Sequence, residues 1–232
     1  MTEFIRSEFL KNGIELSEKQ VEQFKTYCDF LLEYNEKVNL TAVTDKAEVV
    51  RKHFLDSAIA SAMLKENAVC ADIGTGAGFP GVPLAIMRND ITVALIDSLN
   101  KRLVFLDELK ERIGLENVYT VHGRSEDLGR DAEFRQKFDY AFSRAVARLN
   151  VLAEYDLPFV KKGGEMLAWK GPQAYDEVEE ARNAIKILGG GNVQIHTAEL
   201  DDTEHYIVKI DKISDTPIKY PRQAGILKKK PL

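Results

Sequence analysis

The stretch Cys70–Pro83, CADIGTGAGFPGVP, contains four glycines, two prolines and a single acidic residue, Asp72. The glycines are Gly74, Gly76, Gly78 and Gly81. The last three have the G-x-G-x-x-G spacing of a loop that binds the diphosphate of a dinucleotide, whereas Asp72 and the first three have the spacing of a methyltransferase loop. The stretch therefore predicts a nucleoside cofactor at the end of a strand, and its spacing leaves NAD and S-adenosylmethionine open.

The composition is that of an ordinary globular chain. Its 232 residues are 44% hydrophobic and 30% charged, which is enough for one core with an appendage. Met1–Gly13 lacks the pattern of a signal peptide, and no apolar run is long enough for a membrane span, so we expect a cytoplasmic protein without a membrane partner. Cys28 and Cys70 lie in separate apolar patterns, which predicts buried thiols and no metal site.

Charge is distributed unevenly along the chain. The net charge is −5, yet Ile218–Leu232 contains five basic residues and no acidic one, which leaves −10 on the other 217 residues. The five are Lys219, Arg222, Lys228, Lys229 and Lys230. A basic tail on an acidic body can bind a polyanion such as RNA. The alternative is a solvated, frayed C-terminus.

Hydrophobic periodicity and charge divide the chain into three parts, residues 1–65, 66–217 and 218–232. The first part is predicted to be a helical extension, with amphipathic helices over Thr2–Lys11 and Ser17–Val38 and Ser17 as a helix N-cap. Two shorter helices are expected over Lys46–Lys52 and Ser57–Leu64.

The second part alternates between strand and helix patterns. Strands are predicted over Val69–Ile73, Thr92–Ile96, Val118–Val121, Phe138–Phe142, Glu165–Trp169, Val193–Thr197 and His205–Ile210. Helices are predicted over Gly81–Met87, Asn100–Ile113, Asn150–Leu157 and Gln173–Leu188. Repeated βα units form a parallel sheet, whereas the last two strands, joined by the short turn at Asp201–Glu204, must pair antiparallel. This seven-stranded α/β architecture is that of the class I, Rossmann-like methyltransferases, and it favours S-adenosylmethionine over NAD.

Candidate cofactor residues follow the strands, because ligands of open α/β sheets bind beyond the carboxyl ends of the strands. The glycines let the backbone approach a ligand closely, and Asp72 can brace their loop by accepting its N–H groups. Asp97 can accept hydrogen bonds from ribose hydroxyls, or it can cap the following helix. Ser125 and Glu126 can meet the adenine edge, although Glu126 can also be an exposed loop acid.

Two features argue against a dinucleotide. Phe79 and Pro80 are bulky residues inside the glycine stretch, where a dinucleotide loop has small side chains. The chain also has only a hairpin and a tail after the predicted fold, where an oxidoreductase would need a second catalytic domain.

Several segments together resemble a known family. They are NLTAVTD, RKHFLDS, ADIGTGAGFPG, FSRAVARL, MLAWKG and YPRQAGILKKKPL, between Asn39 and Leu232. The chain resembles the bacterial ribosomal RNA small subunit methyltransferase G family, also called glucose-inhibited division protein B. The resemblance implies S-adenosylmethionine-dependent N7 methylation of one guanine in the 530 loop of 16S rRNA. It places cofactor contacts at Gly74, Phe79, Ser125, Glu126 and Arg144, and the family often has Ala or Val at the position of Ser125.

This chemistry predicts few catalytic groups. Guanine N7 carries no proton, so positioning should dominate over general-base catalysis. Arg144, after the fourth strand, is expected to bind the methionine carboxylate, with the guanine O6 or a surface salt bridge as alternatives. His53 is expected to line the guanine pocket or to be a structural histidine. Arg144, His53 and Lys170, the last at the end of the fifth strand, are the candidate catalytic residues, and Lys170 is also expected to contact RNA.

We further expect the basic tail to contact RNA through four residues, Arg222, Lys228, Lys229 and Lys230. The predicted partner is 16S rRNA or the 30S subunit, and the protein is expected to be monomeric. An NAD-linked oxidoreductase and a cofactor-binding module without catalysis remain as alternatives.

Overall fold

The computed structural model describes residues 1–200 and 203–232, apart from the side chains of Ala224 and Lys228. Asp201 and Asp202 of the expected turn therefore lie outside the described residues, as does the side chain of Lys228, a predicted RNA contact.

The chain begins with helices. They are α1 (Thr2–Lys11), α2 (Glu18–Val38), α3 (Lys46–Val49), a π-helical turn (Val50–Leu55), α4 (Asp56–Ala58) and a 3₁₀ turn (Ile59–Met63). The sequence pattern is right about α1 and α2, and Ser17 caps α2 in a reciprocal pair with Gln20. It is wrong about the break between the next two helices, because residues 46–63 form one helical run without a glycine or proline to end it.

A seven-stranded sheet follows. Its strands are β1 (Val69–Ile73), β2 (Thr92–Asp97), β3 (Val118–His122), β4 (Phe138–Arg144), β5 (Val160–Lys170), β6 (Gly190–Leu200) and β7 (Thr203–Lys212). The remaining helices are α5 (Gly81–Met87), α6 (Asn100–Arg112), α7 (Ser125–Leu128), α8 (Leu149–Asp156), α9 (Ala174–Ile187) and α10 (Ala224–Lys229). The strand order is β3-β2-β1-β4-β5-β7-β6, in which β7 alone runs antiparallel to its neighbours. The predicted parallel sheet with a C-terminal antiparallel hairpin is confirmed.

The N-terminal helices pack against the glycine loop of the sheet. Tyr27 of α2 is fully buried, and its hydroxyl donates to the carbonyl of Ala77 at 2.5 Å. Its ring stacks on Phe79, with the ring centroids 5.5 Å apart. Because α2 contacts the loop through both a hydrogen bond and a buried ring, the helical extension forms part of the same core as that face of the sheet.

The C-terminal segment is bound to the opposite face of the sheet domain. Arg135 donates to the carbonyls of Thr216 and Tyr220, at 2.6 and 2.8 Å, and Arg130 donates to the carbonyl of Pro221 at 2.8 Å. A frayed tail is therefore excluded for residues 216–222. The short helix α10, which the sequence pattern did not predict, follows and buries Leu227.

Arg222 belongs to this attachment, and the structure contradicts its prediction as an RNA contact. Its Nη2 lies 2.6 Å from the carboxylate of Glu154, a side chain with no exposure, and its backbone N–H donates to the same carboxylate at 2.7 Å. The guanidinium of Arg222 and the carboxylate of Glu154 neutralise each other, so removal of the guanidinium should destabilise the protein.

Among the described residues, no helix is both long enough and apolar enough to cross a membrane. Cys28 and Cys70 are buried free thiols.

Replacement of Arg222 by alanine tests this attachment. Arg222→Ala leaves the Glu154 carboxylate buried without its cation, so the free energy of unfolding should fall by about 3 kcal/mol in urea denaturation. Lys229→Ala, which removes an exposed cation from the same segment, should change it by less than about 0.5 kcal/mol. Equal effects of the two substitutions would contradict a buried pair.

Candidate active site

A cavity of about 530 Å³ lies at the carboxyl ends of β1, β2, β3 and β4. Each of these strands, or the loop that follows it, supplies part of the wall, and so does the N-terminal helical region. The sheet domain contributes Gly74, Thr75, Gly76, Ala77, Phe79, Asp97, Ser98, Arg102, Gly123, Arg124, Ser125, Glu126, Arg144, Ala145, Val146 and Tyr155. The N-terminal region contributes Leu40, Thr41 and His53. The cavity lies at the carboxyl ends of the strands, where the sequence analysis places the candidate cofactor residues.

Asp72 lies beneath the glycine loop and does not line the cavity. Its side chain is fully buried, and Oδ2 accepts hydrogen bonds from the Thr75 hydroxyl at 2.7 Å and from the Gly81 N–H at 2.8 Å. In the described part of the chain Oδ1 has no hydrogen-bond partner. Burial raises the pKa of this carboxyl to about 6. Asp72 therefore braces the loop and has no direct contact with the cavity.

The three loop glycines do not share one role. Gly74 and Gly76 lie on the cavity wall, and a Cβ on Gly76 would meet nothing closer than 3.9 Å. Gly78 faces the other way, where a Cβ would fall 2.7 Å from the Tyr27 hydroxyl. The structure thus contradicts a cofactor contact by Gly78, because this glycine is required by the close packing of α2.

Asp97 connects two walls of the cavity. Its side chain is nearly buried, with Oδ2 accepting from the Gly76 N–H at 3.0 Å and Oδ1 from the Leu99 N–H at 2.9 Å. Arg102 is paired with the same carboxylate at 3.1 Å. The carboxylate thus stabilises the glycine loop and the start of α6, and it also faces the cavity.

Ser125 and Glu126 form the next part of the wall, at the start of α7. Glu126 is buried rather than an exposed loop acid. Tyr155 of α8 lines the cavity beside them. A carboxylate and a phenol ring thus border the end of the cavity that follows β3.

Arg144 is held by a buried network. Its Nη1 lies 2.7 Å from the carboxylate of Asp56, with both side chains less than 15% exposed, and it also donates to the Lys52 carbonyl at 3.2 Å. Its guanidinium carbon lies 4.8 Å from the centre of the Phe79 ring. The second oxygen of Asp56 is 2.7 Å from Nδ1 of His205 on β7. The alternative of a surface salt bridge is wrong, because the pair is buried on the cavity wall.

His53 lies on the same wall. Its Nδ1 is 3.3 Å from Nη2 of Arg144, and its Nε2 is 2.9 Å from the hydroxyl of Thr41. Burial, together with the charge of Arg144, lowers the pKa of His53 to about 4. The imidazole is therefore neutral at pH 7.

Lys170 does not line the cavity. Its amino group lies 2.8 Å from the carboxylate of Glu177 and donates to the Ala147 carbonyl at 2.7 Å, and its side chain is 6% exposed. The structure contradicts both predictions for Lys170, as a catalytic residue and as an RNA contact, because its charge is already paired inside the protein, away from the cavity.

The wall and support residues that the sequence analysis missed include Thr41, Asp56 and Tyr155. Thr41 and Asp56 belong to the segments NLTAVTD and RKHFLDS that carry the family resemblance, which was the available signal. Tyr155 lies inside an apolar helix, where nothing distinguishes it from a core residue.

Comparison with protein families gives a match over residues 20–206 to the model described as rRNA small subunit methyltransferase G. The chain belongs to this family. Ribosomal RNA small subunit methyltransferase G of Alkaliphilus metalliredigens is 50% identical, over 95% of this chain and 94% of that protein. The protein of the same name from Lactobacillus johnsonii is 48% identical, over 99% of both chains.

Solved structures share the fold at low identity. A putative S-adenosyl-L-methionine-dependent methyltransferase from Methanococcus maripaludis matches with a TM-score of 0.55 and 16% identity, over 81% of this chain and 93% of that one. An rRNA methylase from Streptococcus thermophilus matches with a TM-score of 0.50 and 17% identity, over 69% of this chain and 95% of that one.

Membership in the rRNA small subunit methyltransferase G family decides between the two interpretations of the glycine loop. The chain is a methyltransferase, and its cofactor is S-adenosylmethionine, as predicted. The class I methyltransferase fold is likewise confirmed.

The pH dependence of stability tests the position of Asp72. Because burial raises its folded-state pKa from 3.8 to about 6, its contribution to stability is fully present below pH 3.8 and is lost as the pH rises through about 6. Asp72→Asn keeps an acceptor for Thr75 and Gly81 but cannot ionise. The unfolding free energy of wild type relative to Asp72→Asn should fall by on the order of 2 to 3 kcal/mol between pH 4 and 7.

Denaturant titrations at several pH values measure this difference. Asp176→Asn, at an exposed position in the first turn of α9, is the matched control for loss of a negative charge. A wild-type to Asp72→Asn difference that stays constant from pH 4 to 7 would show that Asp72 is not buried as described.

Proposed function

We propose that this protein transfers the methyl group of S-adenosylmethionine to N7 of one guanine in the 530 loop of 16S rRNA. The observation that carries the proposal is a single cavity with two different ends. One end is bordered by the carboxylates of Asp97 and Glu126, and the other by Arg144, His53 and Thr41. Such a cavity can hold a nucleoside cofactor and still present its far end to a second molecule.

The residues of this cavity fit S-adenosylmethionine. Carboxylates such as Asp97 and Glu126 accept hydrogen bonds from the hydroxyl and amino groups of an adenosine. The volume of about 530 Å³ lies in the range of small-molecule sites. The open space beside Gly76 lets a ligand approach the backbone. We assign Asp97 to the ribose, and Ser125 and Glu126 to the adenine.

Arg144 is assigned to the methionine carboxylate. Asp56, the Lys52 carbonyl and His53 occupy three of its five N–H groups and fix the plane of the guanidinium. The remaining groups can donate to a carboxylate, and a planar guanidinium suits that geometry. Phe79 lies under the same guanidinium and limits where the carboxylate can sit.

The bound cofactor would supply a methyl group that is already activated for transfer. N7 of guanine has a lone pair and no proton, so the protein does not need to remove one. His53 is in accord with this, because a pKa of about 4 makes its imidazole a weak base, and its contacts with Thr41 and Arg144 hold it as a fixed hydrogen-bonding group. The catalytic contribution of the protein is then to align the guanine and the methyl group, which can lower a barrier by several kcal/mol.

The RNA-binding surface is proposed to lie around the mouth of the cavity. Arg124 lines the cavity and is 66% exposed, while Lys229 and Lys230 are exposed on the C-terminal segment. Exposed cations of this kind bind phosphates and make affinity depend on salt. We propose that the substrate is 16S rRNA within the 30S subunit, that the protein acts as a monomer, and that it works in the cytoplasm.

Methyl transfer from labelled S-adenosylmethionine tests the proposal. Wild-type protein is incubated with 30S subunits that lack the modification and, separately, with naked 16S rRNA. The label should appear on one guanine of the 530 loop and should make that position cleavable by treatments specific for N7-methylguanine. Arg144→Ala should lower the rate at least tenfold, whereas Arg148→Ala, which removes an exposed arginine paired with Glu180 outside the cavity, should not.

Label on an exocyclic nitrogen, on a pyrimidine or on a different loop would contradict the assignment of the target atom. S-adenosylmethionine binding without any transfer would instead support a cofactor-binding module without catalysis.

A further inference from the structure

The loop after α2 is held rigidly against the cavity. The side-chain oxygen of Asn35 accepts from the N–H groups of Leu40 and Thr41, at 2.6 and 2.9 Å, and its amide nitrogen donates to the Thr41 carbonyl at 2.9 Å. Asn35 belongs to α2, which itself packs on the glycine loop. Thr41 is therefore positioned on the cavity wall by three hydrogen bonds that involve no ligand.

The neighbouring arginine determines which nitrogen of His53 carries the hydrogen. Nδ1 of His53 faces Nη2 of Arg144 at 3.3 Å, and a guanidinium has only donors. Nδ1 must then be the acceptor, so a neutral imidazole carries its hydrogen on Nε2. The Lys52 carbonyl, 3.2 Å from Nδ1, has a second lone pair, but a hydrogen on Nδ1 would also face the cationic guanidinium, whereas a lone pair there accepts a charge-assisted hydrogen bond from it. The lowered pKa of His53, about 4, keeps the imidazole neutral at pH 7.

This tautomer fixes the role of the Thr41 hydroxyl. Nε2–H of His53 donates to Oγ1 of Thr41 at 2.9 Å, and the N–H of Val43 donates to the same oxygen at 3.1 Å. A hydroxyl has two acceptor sites and one hydrogen, so both acceptor sites are taken. With the hydrogen of His53 on Nε2, no acceptor for the hydroxyl hydrogen remains among the described residues, which leaves it for a molecule in the cavity.

We infer that the Thr41 hydroxyl donates to O6 of the target guanine, so that Thr41 is a specificity-determining residue. The inference rests on the proposed function. In guanine, O6 and N7 lie side by side on one edge and both are acceptors, whereas adenine presents an amino donor at the position of O6. When both acceptor sites of the hydroxyl are occupied, it can only donate a hydrogen bond. It can therefore bind O6 of guanine, whereas it would face another donor, the amino group, in adenine. Arg144 thus determines base recognition through His53 and Thr41, without contact with the base.

A cycle of protein and RNA changes tests the inference. 30S subunits are assembled with guanine or with 2-aminopurine, which keeps N7 but lacks O6, at the methylated position. Dissociation constants and single-turnover rates are measured for wild type, Thr41→Val and Thr41→Ser. Wild type should prefer guanine by about 3- to 10-fold, the value of one neutral hydrogen bond. With guanine, Thr41→Val should bind and react about 3- to 10-fold more weakly than wild type, and with 2-aminopurine it should equal wild type. Thr41→Ser should stay within about twofold of wild type in both quantities.

Three results would overturn the inference. One is that the wild-type protein does not distinguish guanine from 2-aminopurine. This comparison uses no variant, so it does not depend on whether Thr41→Val folds. Another is an equal loss for Thr41→Val on both bases. The third is a weaker S-adenosylmethionine affinity of Thr41→Val in calorimetry, since the hydroxyl would then serve the cofactor. Failure of the proposed function is distinct, because wild type would then leave guanine N7 unmethylated.

Discussion

The glycine loop after β1 is held from two sides, and the rest of the site depends on this arrangement. From below, the buried carboxylate of Asp72 accepts from the Thr75 hydroxyl and from the first N–H of α5. From above, the Tyr27 hydroxyl donates to the Ala77 carbonyl. Polar groups buried in this way are costly unless they are hydrogen-bonded, so each contact restrains the loop to one conformation. With the loop fixed, the open backbone beside Gly76 faces the cavity.

The N-terminal helices are consequently part of the site. They bring Tyr27 onto the loop and His53 and Thr41 onto the cavity wall, and Asp56 pairs there with Arg144 from β4. The pair is buried, and breaking such a pair by removing one partner is strongly destabilising. Asp56 also contacts His205 of β7, so the helices, the central strand and the C-terminal hairpin share one polar cluster. The cavity at the sheet edge thereby gains a second wall.

The order and type of the sheet elements could be predicted from the sequence because they depend on local patterns. Alternating apolar strands, helix stops and the glycine loop each occupy a short window, and the hairpin follows from a turn too short for a crossover. Loop bracing by Asp72 likewise follows from its place at the strand end. Asp97 accepts from the N–H of Leu99, the residue before α6, and also lines the cavity, so the geometry leaves the predicted ribose contact possible.

Pairing between side chains of different elements could not be predicted in this way. Lys170 and Arg222 are cations in exposed-looking segments, yet Glu177 and Glu154 neutralise them, and Glu154 lies 68 residues from Arg222. Gly78 matches the loop motif, but a glycine is required there because a Cβ would collide with the hydroxyl of Tyr27, 51 positions earlier in the chain. Such facts depend on tertiary contacts, which a single sequence does not encode locally.

A crystal structure with S-adenosylhomocysteine bound tests the central claim most directly, because it locates the cofactor and the free part of the cavity together. The account predicts the adenosine beside Asp97 and Glu126, the amino-acid carboxylate at Arg144, and open space in front of Thr41 and His53. Electron density for the ligand in front of Thr41, or away from the carboxyl ends of the strands, would contradict it.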